Sequence, residues 1–575
     1  MNSLFNKNYE KGTLEVKTKT GEYCRICELF EVDGITMPIN GNPCDDVKYQ
    51  VNGLSHHINQ KFPITSSQLI ETKEFMRLMY NHLFTFSSSF VEKIKYYINS
   101  EVIKCKEQGA VSYETGTLGW QTTPESDTRK FILQSGMINN KAIKYYDESL
   151  SFKKGTEEGQ LDFIKTQIIP YQETRLAMTL GLASIVASYI EPYKHTGTLI
   201  FNVSGKTSTG KSTIAELSAS FYGSPETSNY GLVRTFNATN NFIFALSEGR
   251  VGVPVILDDN NSNQNDHNKA QLVYLFAMSE PRGRCQNNGN AQTKRVGWSG
   301  LVLLTSESPL LDGVSNTQGA NVRCITLDSI PWTRSAQHSE SIKKGVRENY
   351  GFIAEKFADY LASLDIENVL EMHTKYTEEV RKMMIKTDGA SDRIAKSLGV
   401  IVMTAELIKN FNPKFRIKVD EIKEMLVSSE QASIDDRSLS DNTFDLLVEY
   451  LTTNRSKLAI VTKSSIFSNS CTVTYSPASA IGYVVYCGET TSEVCLLNKH
   501  FDAFLKENNI VERRTILKDW ATKGIINFDK DKRYTKKAHR AGVVGRAISI
   551  NGDKILDEFP YEDYYTNYLN GNAGD

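Results

Sequence analysis

"LIFNVSGKTSTGKSTIAELSASFYG", Leu199–Gly223, decides how the chain is read. Inside it, Gly205-Lys206-Thr207-Ser208-Thr209-Gly210-Lys211-Ser212 fits G-x-x-x-x-G-K-[ST], a phosphate-binding loop. The apolar run Leu199–Val203 reads as a strand and the residues from Lys211 as a helix, which is the context the loop requires. Gly205 and Gly210 let the backbone curl so that its N–H groups face phosphates. Lys211 is expected to neutralise the β and γ phosphates and Ser212 to hold Mg²⁺, with the helix N-terminus adding partial positive charge. Lys206, Thr207, Ser208, Thr209 and Thr213 complete the expected nucleotide-binding set. The expected cofactors are ATP and Mg²⁺.

"VPVILDDNN", Val253–Asn261, is a second apolar run, ending in paired carboxylates. Pro254 stands near its start, where a strand tolerates a missing N–H. Downstream of a phosphate loop the pair is expected to serve it: Asp258 as a Mg²⁺ ligand, direct or through water, and Asp259 as the group that polarises the attacking water. The plainer alternative is a strand closing in a solvated acidic turn, and the loop upstream argues against it.

The chain around these runs has 575 residues. That is too many for one hydrophobic core, so roughly two to four domains are expected. Hydrophobic residues make up 40% and charged residues 23%, the balance of an ordinary soluble globular protein. A net charge of −2 excludes a polycation, so any nucleic-acid surface must be local. Nine scattered cysteines point to free thiols in a reducing compartment. The opening "MNSLFNKNYEKG" lacks the apolar centre of a signal peptide. The most apolar stretch, Leu176–Ile190, is too short to span a bilayer and is interrupted by Thr and Ser, so it reads as a buried helix. A cytoplasmic protein with no membrane partner is expected.

Short alternating runs over 13–62 read as strands, followed by helices near Ser67–Phe84 and Ser89–Cys105. Residues 119–155 return to strands, and helices run from Glu158 to Tyr189, with Pro192 closing them. Strand–loop–helix alternation from Thr198 to Leu327 is the mark of an α/β domain. Helices continue to about Ser429. The expected divisions are 1–118, an N-terminal α+β domain; 119–197, a strand and helix segment leading into the core; 198–434, the nucleotide domain with a helical lid; and 435–575, a C-terminal domain. Cys24 and Cys27, with Cys44 and His56 or His57, are discounted as a zinc site, because "EYCRICELFEV" alternates like a strand and no second C-x-x-C follows.

Beyond the acidic strand, "PRGRCQNNGNAQTKRVGWSG" (Pro281–Gly300) reads as two polar strands around the turn signal Asn288-Gly289. Arg282, Arg284, Lys294 and Arg295 make it positive. "LVLLTSE" is another apolar strand, ending in Thr305 and Ser306, and "GANVRCITLDSIP" places Arg323 just before a further strand. This order resembles AAA+ motors. It is closer still to a family of P-loop ATPases from phages and other mobile elements, long catalogued as a domain of unknown function. The resemblance rests on Gly119-Trp120, the Gly205–Ser212 loop, Ala238-Thr239-Asn240, Leu257-Asp258-Asp259, Arg284–Val296, Thr305-Ser306-Glu307 and Val322-Arg323, and covers roughly residues 110–410.

The resemblance implies a ring ATPase like the minichromosome-maintenance helicases of staphylococcal cassettes and pathogenicity islands. By that analogy the hairpin, with Arg284, Asn288, Lys294 and Arg295, grips DNA in a central channel. Arg323 matches an arginine finger reaching the neighbouring subunit's γ-phosphate. Thr305 or Ser306 takes the first sensor role, and Arg393, in "SDRIAKS", matches a second sensor arginine. Two departures stand out: Asp258-Asp259 replaces the usual Asp-Glu, one methylene longer, and the sensor position is not Asn.

From Arg513 to Arg546, eleven Lys or Arg stand against three Asp. "VERRTILKDWATKGII" reads as a helix, followed by a strand, a basic loop and a returning strand. A helix followed by a basic hairpin is the end of a winged-helix domain, in which the helix enters a groove and the hairpin meets phosphates. The expected DNA contacts are Arg513, Arg514, Lys518, Lys523, Lys532, Arg533, Lys536, Lys537 and Arg540. "NKHFDAFLKENN" (Asn498–Asn509) is expected to be another helix of that domain.

The expected architecture is thus α/β: an AAA+ core between an N-terminal α+β region and a C-terminal winged helix. The expected function is an ATP-dependent DNA helicase or initiator-helicase of a mobile element, assembled as a homo-oligomer, a hexamer by analogy. Three alternatives remain open on sequence: an initiator that melts an origin without translocating, a small-molecule kinase, and a DNA-binding regulator with a degenerate ATPase.

Overall fold

The computed structural model describes residues 4–39, 46–123, 126–138, 141–145, 150–228, 230–236, 239–258, 266–280, 297–311, 318–434, 439–463, 471–508, 510, 512–529 and 534–561. The chain is a mixed α/β protein.

Five strands form the central sheet: β1 (Leu199–Ser204), β2 (Val233–Thr235), β3 (Val255–Asp258), β4 (Leu301–Thr305) and β5 (Cys324–Asp328). All pairings are parallel, in the order β2-β3-β4-β1-β5. Side-chain alternation explains the layering. Leu199, Phe201, Val203, Leu301, Leu303, Ile325 and Leu327 join one apolar cluster, while Ile200, Val255, Leu257, Val302, Leu304 and Cys324 join another. A parallel sheet that is apolar on both faces needs helical cover on both. The helices Gln172–Lys194, Lys211–Ser220 and Ser391–Phe411 cover the first face. Asn240–Ser247 and Asp266–Met278 cover the second. Because β1 lies between β4 and β5, the strand order reverses there, and the loop after β1 opens at the switch point where ligands of such sheets bind.

Helix Gln172–Lys194 is buried almost all round, as expected of the run Leu176–Ile190. Among the described residues no helix is long and apolar enough to cross a membrane. Its end differs from the expectation, since Pro192 lies inside it. Proline cannot donate to the carbonyl of Ser188. Arg129 does so instead: its Nη2 donates to the Ser188 carbonyl at 3.1 Å and its Nη1 to that of Tyr189 at 2.6 Å. The guanidinium also lies over the rings of Trp120 and Tyr189.

The Gly119-Trp120 pair joins this helix to the core. Strand Leu118–Thr123 runs parallel to Arg250–Val251. Gly119 has φ +100°, and a Cβ there would lie 2.0 Å from the Val251 carbonyl oxygen, so only glycine fits. Trp120 is buried, and its Nε1 donates to the Ile185 carbonyl at 3.0 Å.

The N-terminal region holds a three-stranded antiparallel sheet (Phe5–Asn8, Thr13–Lys17, Tyr23–Glu28) and a six-stranded mixed sheet. The six strands run in the order Ser135–Ile138, Lys141–Tyr145, Val111–Thr115, Phe30–Ile39, Lys48–Gly53, Lys61–Thr65. Helix Val91–Glu107 packs against it through Tyr97, Ile98 and Val102. The pairing crosses the 118/119 division expected from sequence. Lys141–Tyr145 lies parallel to Val111–Thr115, and Ile138 and Ile143 share a small apolar cluster with Ile39 and Ile132.

The C-terminal unit runs through helix Leu439–Thr453, strands Leu458–Lys463, Cys471–Tyr475, Gly482–Cys487 and Thr490–Leu497, helices Asn498–Glu507 and Arg513–Thr522, strand Ile526–Asn527, and the hairpin Lys536–Arg540/Val543–Asn551. All its described strands share one sheet. The hairpin turns at Ala541 and Gly542, both left-handed at φ 52° and 75°, as a two-residue turn requires. Phe501, Phe504 and Trp520 fill a separate apolar core. The helix–basic hairpin read from sequence is therefore the last part of a larger α/β unit.

Candidate nucleotide site and basic surface

The residues from Gly205 to Ser212 leave β1 and enter helix Lys211–Ser220. Gly205 (φ +140°), Ser208 (φ +68°) and Gly210 (φ +95°) curl the loop through left-handed backbone. Lys211 Nζ donates to the loop's own carbonyls of Gly205 (2.7 Å) and Lys206 (2.9 Å). The ammonium thus sits at the centre of the curl, where phosphate oxygens would replace those carbonyls.

Across the loop, Asp258 ends β3. Its Oδ1 accepts from Ser212 Oγ at 3.1 Å and from Thr305 Oγ1, at the end of β4, at 2.5 Å. Two strand ends and the start of the helix Lys211–Ser220 therefore meet at one carboxylate oxygen. Ser306, the other sensor candidate, also borders the cleft, but its hydroxyl is not bonded to Asp258: its Oγ accepts from Asn202 Nδ2 at 2.8 Å and donates to the Ser308 carbonyl. Asn202 in turn accepts from Leu310 N. Thr305 faces the site, and Ser306 holds the turn beyond β4. Thr207 donates to Glu307 at 2.7 Å, tying the loop to that turn.

These residues line a cleft of about 660 Å³. Its other wall is the helix Ala336–Glu348, through Ala336, Ser339, Glu340 and Lys343, with Thr333 over Gly210. This helix runs parallel to Lys211–Ser220: Thr213 Oγ1 meets Ser339 Oγ at 2.6 Å, and Arg347 pairs with Glu216 at 3.0 Å. Burial pushes the Glu216 carboxyl above its ordinary range despite the Arg347 and Lys343 charges. The sequence reading missed this wall. The i, i+3, i+4, i+7 spacing of 336, 339, 340 and 343 marks one helix face, but spacing does not tell what a face packs against.

The donor set suits Mg²⁺. One carboxylate and one hydroxyl close together match an ion that takes few protein ligands and completes its shell with phosphate oxygens and water. Among the described residues no group of three or more His, Cys, Asp or Glu could form an all-protein cage.

Arg323 and Arg393 lie outside the cleft lining. Arg323 Nη1 donates to the Gly319 carbonyl at 2.6 Å, and its guanidinium lies over Tyr274 at 5.4 Å. Partial burial and the charge of Arg323 both push Arg393 below the usual guanidinium range. Neither pairs with a carboxylate among the described residues. Thr239 is a helix cap whose Oγ1 accepts from Phe242 N. Ala238, Asp259 and the hairpin residues Arg284, Asn288, Lys294 and Arg295 lie outside the described residues.

In the C-terminal unit several basic side chains are held within the domain. Lys523 bridges Asp441 and Asp519, Lys536 holds the buried Glu493, and Arg513 pairs with Asp502. One Nη of Arg540 is buried. Arg514, Lys518 and Lys537 are exposed, and none forms an ion pair among the described residues. Lys532 and Arg533 lie outside the described residues.

Residues 43–296 match the family model of a domain of unknown function, DUF927, and residues 438–551 match the Cch helix turn helix domain. The fold is similar to a solved structure described as SCCmec type IV Cch, active helicase: TM-score 0.73, 18% identity, covering 97% of this chain and 99% of that one. A structure of the NrS-1 C-terminal region aligns over 65% of this chain and 87% of that one, at 12% identity and TM-score 0.26, too low to inform the fold. No curated protein matches. The resemblance drawn from the ordered motifs is borne out by both domain matches and by the full-length structural similarity.

Proposed function

We propose that this chain, a DUF927 region joined to a Cch helix-turn-helix domain, is an ATP- and Mg²⁺-dependent DNA helicase or initiator-helicase of a mobile genetic element. The observation that carries the reading is the meeting of Ser212, Asp258 and Thr305 in front of Lys211 at the switch point of the sheet. The strand order around β1 supports an AAA+ core, and the fold's full-length similarity to a helicase supports the use of the energy on DNA.

In this reading the curled loop donates its N–H groups to the phosphates and Lys211 neutralises the β and γ groups. Ser212 and Asp258 hold Mg²⁺. When bound, the ion offsets the charge that builds up on the phosphate oxygens. Thr305 fixes the carboxylate of Asp258, and Asp259 is the candidate for polarising the attacking water. Arg323 and Arg393 act together on the nucleotide of a neighbouring subunit. Their place outside their own chain's cleft, without carboxylate partners among the described residues and with the charge of Arg323 felt at Arg393, supports that assignment. The hairpin around Asn288-Gly289 grips DNA in the ring, which we read as a hexamer, and the C-terminal unit, as a winged helix, delivers the ring to duplex.

The test is strand displacement on forked DNA together with DNA-stimulated ATPase, using wild type, Lys211→Ala and Lys294→Ala. Lys211→Ala is expected to lose both activities, and Lys294→Ala to keep ATPase while losing unwinding. Wild type that hydrolyses ATP without unwinding would leave an origin-melting initiator. ATPase indifferent to DNA would point to a small-molecule kinase.

A further inference from the structure

A second cavity, of about 340 Å³, opens in the C-terminal unit. It lies where the starts of helices Asn498–Glu507 and Arg513–Thr522 meet the base of the basic hairpin. Arg513, Arg514 and Arg546 line it together with Leu517, Tyr534 and Asn498. Arg513 pairs with Asp502 at 2.7 Å and Arg546 with Asp529 at 3.3 Å, whereas the exposed Arg514 forms no ion pair among the described residues, which leaves its guanidinium at the opening for an anion.

The rest of the lining is unlike a bare phosphate site. The Oδ1 of Asn498 is shut off from solvent and has no hydrogen-bond partner. A buried acceptor without a partner costs about 1–3 kcal/mol, so such a group calls for an explanation. Tyr534 is left-handed at φ 55°, a strained conformation for a bulky side chain. Its ring stands edge-on to Phe528 at 5.4 Å. Leu517, 1% exposed, lies at the apolar floor. An unpaired guanidinium, an aromatic ring, an apolar floor and an unmatched amide form the set that holds a phosphate, stacks a base and reads its edge. The volume is at the small end for ligand cavities, room for one nucleotide and not for a duplex.

We propose that this cavity takes a single unstacked nucleotide of a DNA strand. Arg514 meets its phosphate, Tyr534 and Leu517 its base face, and Asn498 its base edge. The assignment rests on the reading of this unit as DNA-binding, and it adds that the unit engages an opened strand as well as duplex.

The test uses the full chain and fluorescence anisotropy with a single-stranded oligonucleotide and a blunt duplex of the same sequence. Tyr534→Ala is expected to weaken single-strand binding about 5- to 100-fold and duplex binding by less than about twofold, with Tyr534→Trp close to wild type. Arg514→Ala should lower the salt slope of single-strand binding by about one. Two further readouts guard against misfolding: DNA-free ATPase should be unchanged in each variant, and 2-aminopurine in the strand should brighten on wild type and not on Tyr534→Ala. Protein that binds both DNAs, with Tyr534→Ala changing neither or both equally, overturns the cavity assignment alone. Wild type that binds no DNA overturns the broader reading as well. A free deoxynucleoside monophosphate that displaces the strand at comparable affinity overturns the strand assignment in favour of a small-molecule site.

Discussion

Thr305 and Ser306 are adjacent in sequence and opposite in role. Thr305 donates to Asp258, while Ser306 is tied to Asn202. Thr305→Val should therefore lower ATPase turnover on the order of 10- to 100-fold with nucleotide affinity kept, as read by steady-state kinetics against nucleotide titration. Ser306→Ala should leave turnover close to wild type and cost about 1–3 kcal/mol of stability, because the buried Asn202 Nδ2 loses its acceptor; thermal unfolding reads it. The loop and Asp258 were legible because their chemistry needs fixed residue types at fixed places. The choice between Thr305 and Ser306 was not, since successive strand residues point to opposite faces and only the sheet register says which face looks at the loop. The signal that could have settled it was Asn202, a polar residue in an apolar strand that needs a buried partner.

The element scale shows how local oddities are offset. Helix Gln172–Lys194 runs past Pro192 because Arg129 serves the carbonyls of Ser188 and Tyr189. Arg129→Met should cost about 2 kcal/mol, measured as a fall in the unfolding midpoint. In the C-terminal unit, burial alone pushes Glu493 up, but the Cys495 thiol and the Lys536 ammonium hold it below the ordinary value of 4.5. A carboxylate held low contributes stability above its unfolded value and loses that contribution as pH falls through its folded value. Lys536→Ala should therefore destabilise the unit by about 2 kcal/mol at neutral pH. The gap to wild type should close as pH falls below the carboxylate range in unfolding curves. Four of the five central strands were readable as apolar runs and most helices from helical periodicity, whereas the three-residue strand Val233–Thr235 is too short to carry a pattern. The end at Pro192 was not, because the donor that rescues it comes from a strand far away in sequence.

For the whole molecule, the arginine pair makes a prediction that no single chain can satisfy. If Arg323 and Arg393 serve a neighbour's site, Lys211→Ala and Arg323→Ala chains, each inactive alone, should recover ATPase when mixed. A quarter or so of the interfaces in a random mixture would join an intact loop to an intact arginine. Turnover in a mixing titration is the measurement, and a flat line would place Arg323 outside the reaction.

The path of the chain between its two halves has a practical consequence. It leaves the N-terminal sheet after Thr115, lends Leu118–Thr123, with Ser126–Ile132 paired beside it, to the strand at Arg250–Val251, and returns to lay Lys141–Tyr145 against Val111–Thr115. No single cut frees the first region. Deleting residues before 118 strips Lys141–Tyr145 of its parallel neighbour and leaves an open strand edge, which invites aggregation. Deleting through 150 also removes Trp120 and Arg129 from beneath the long helix. A truncation that kills activity would therefore report on a damaged core, and the duties of the N-terminal region are better approached by point substitutions on its outer face.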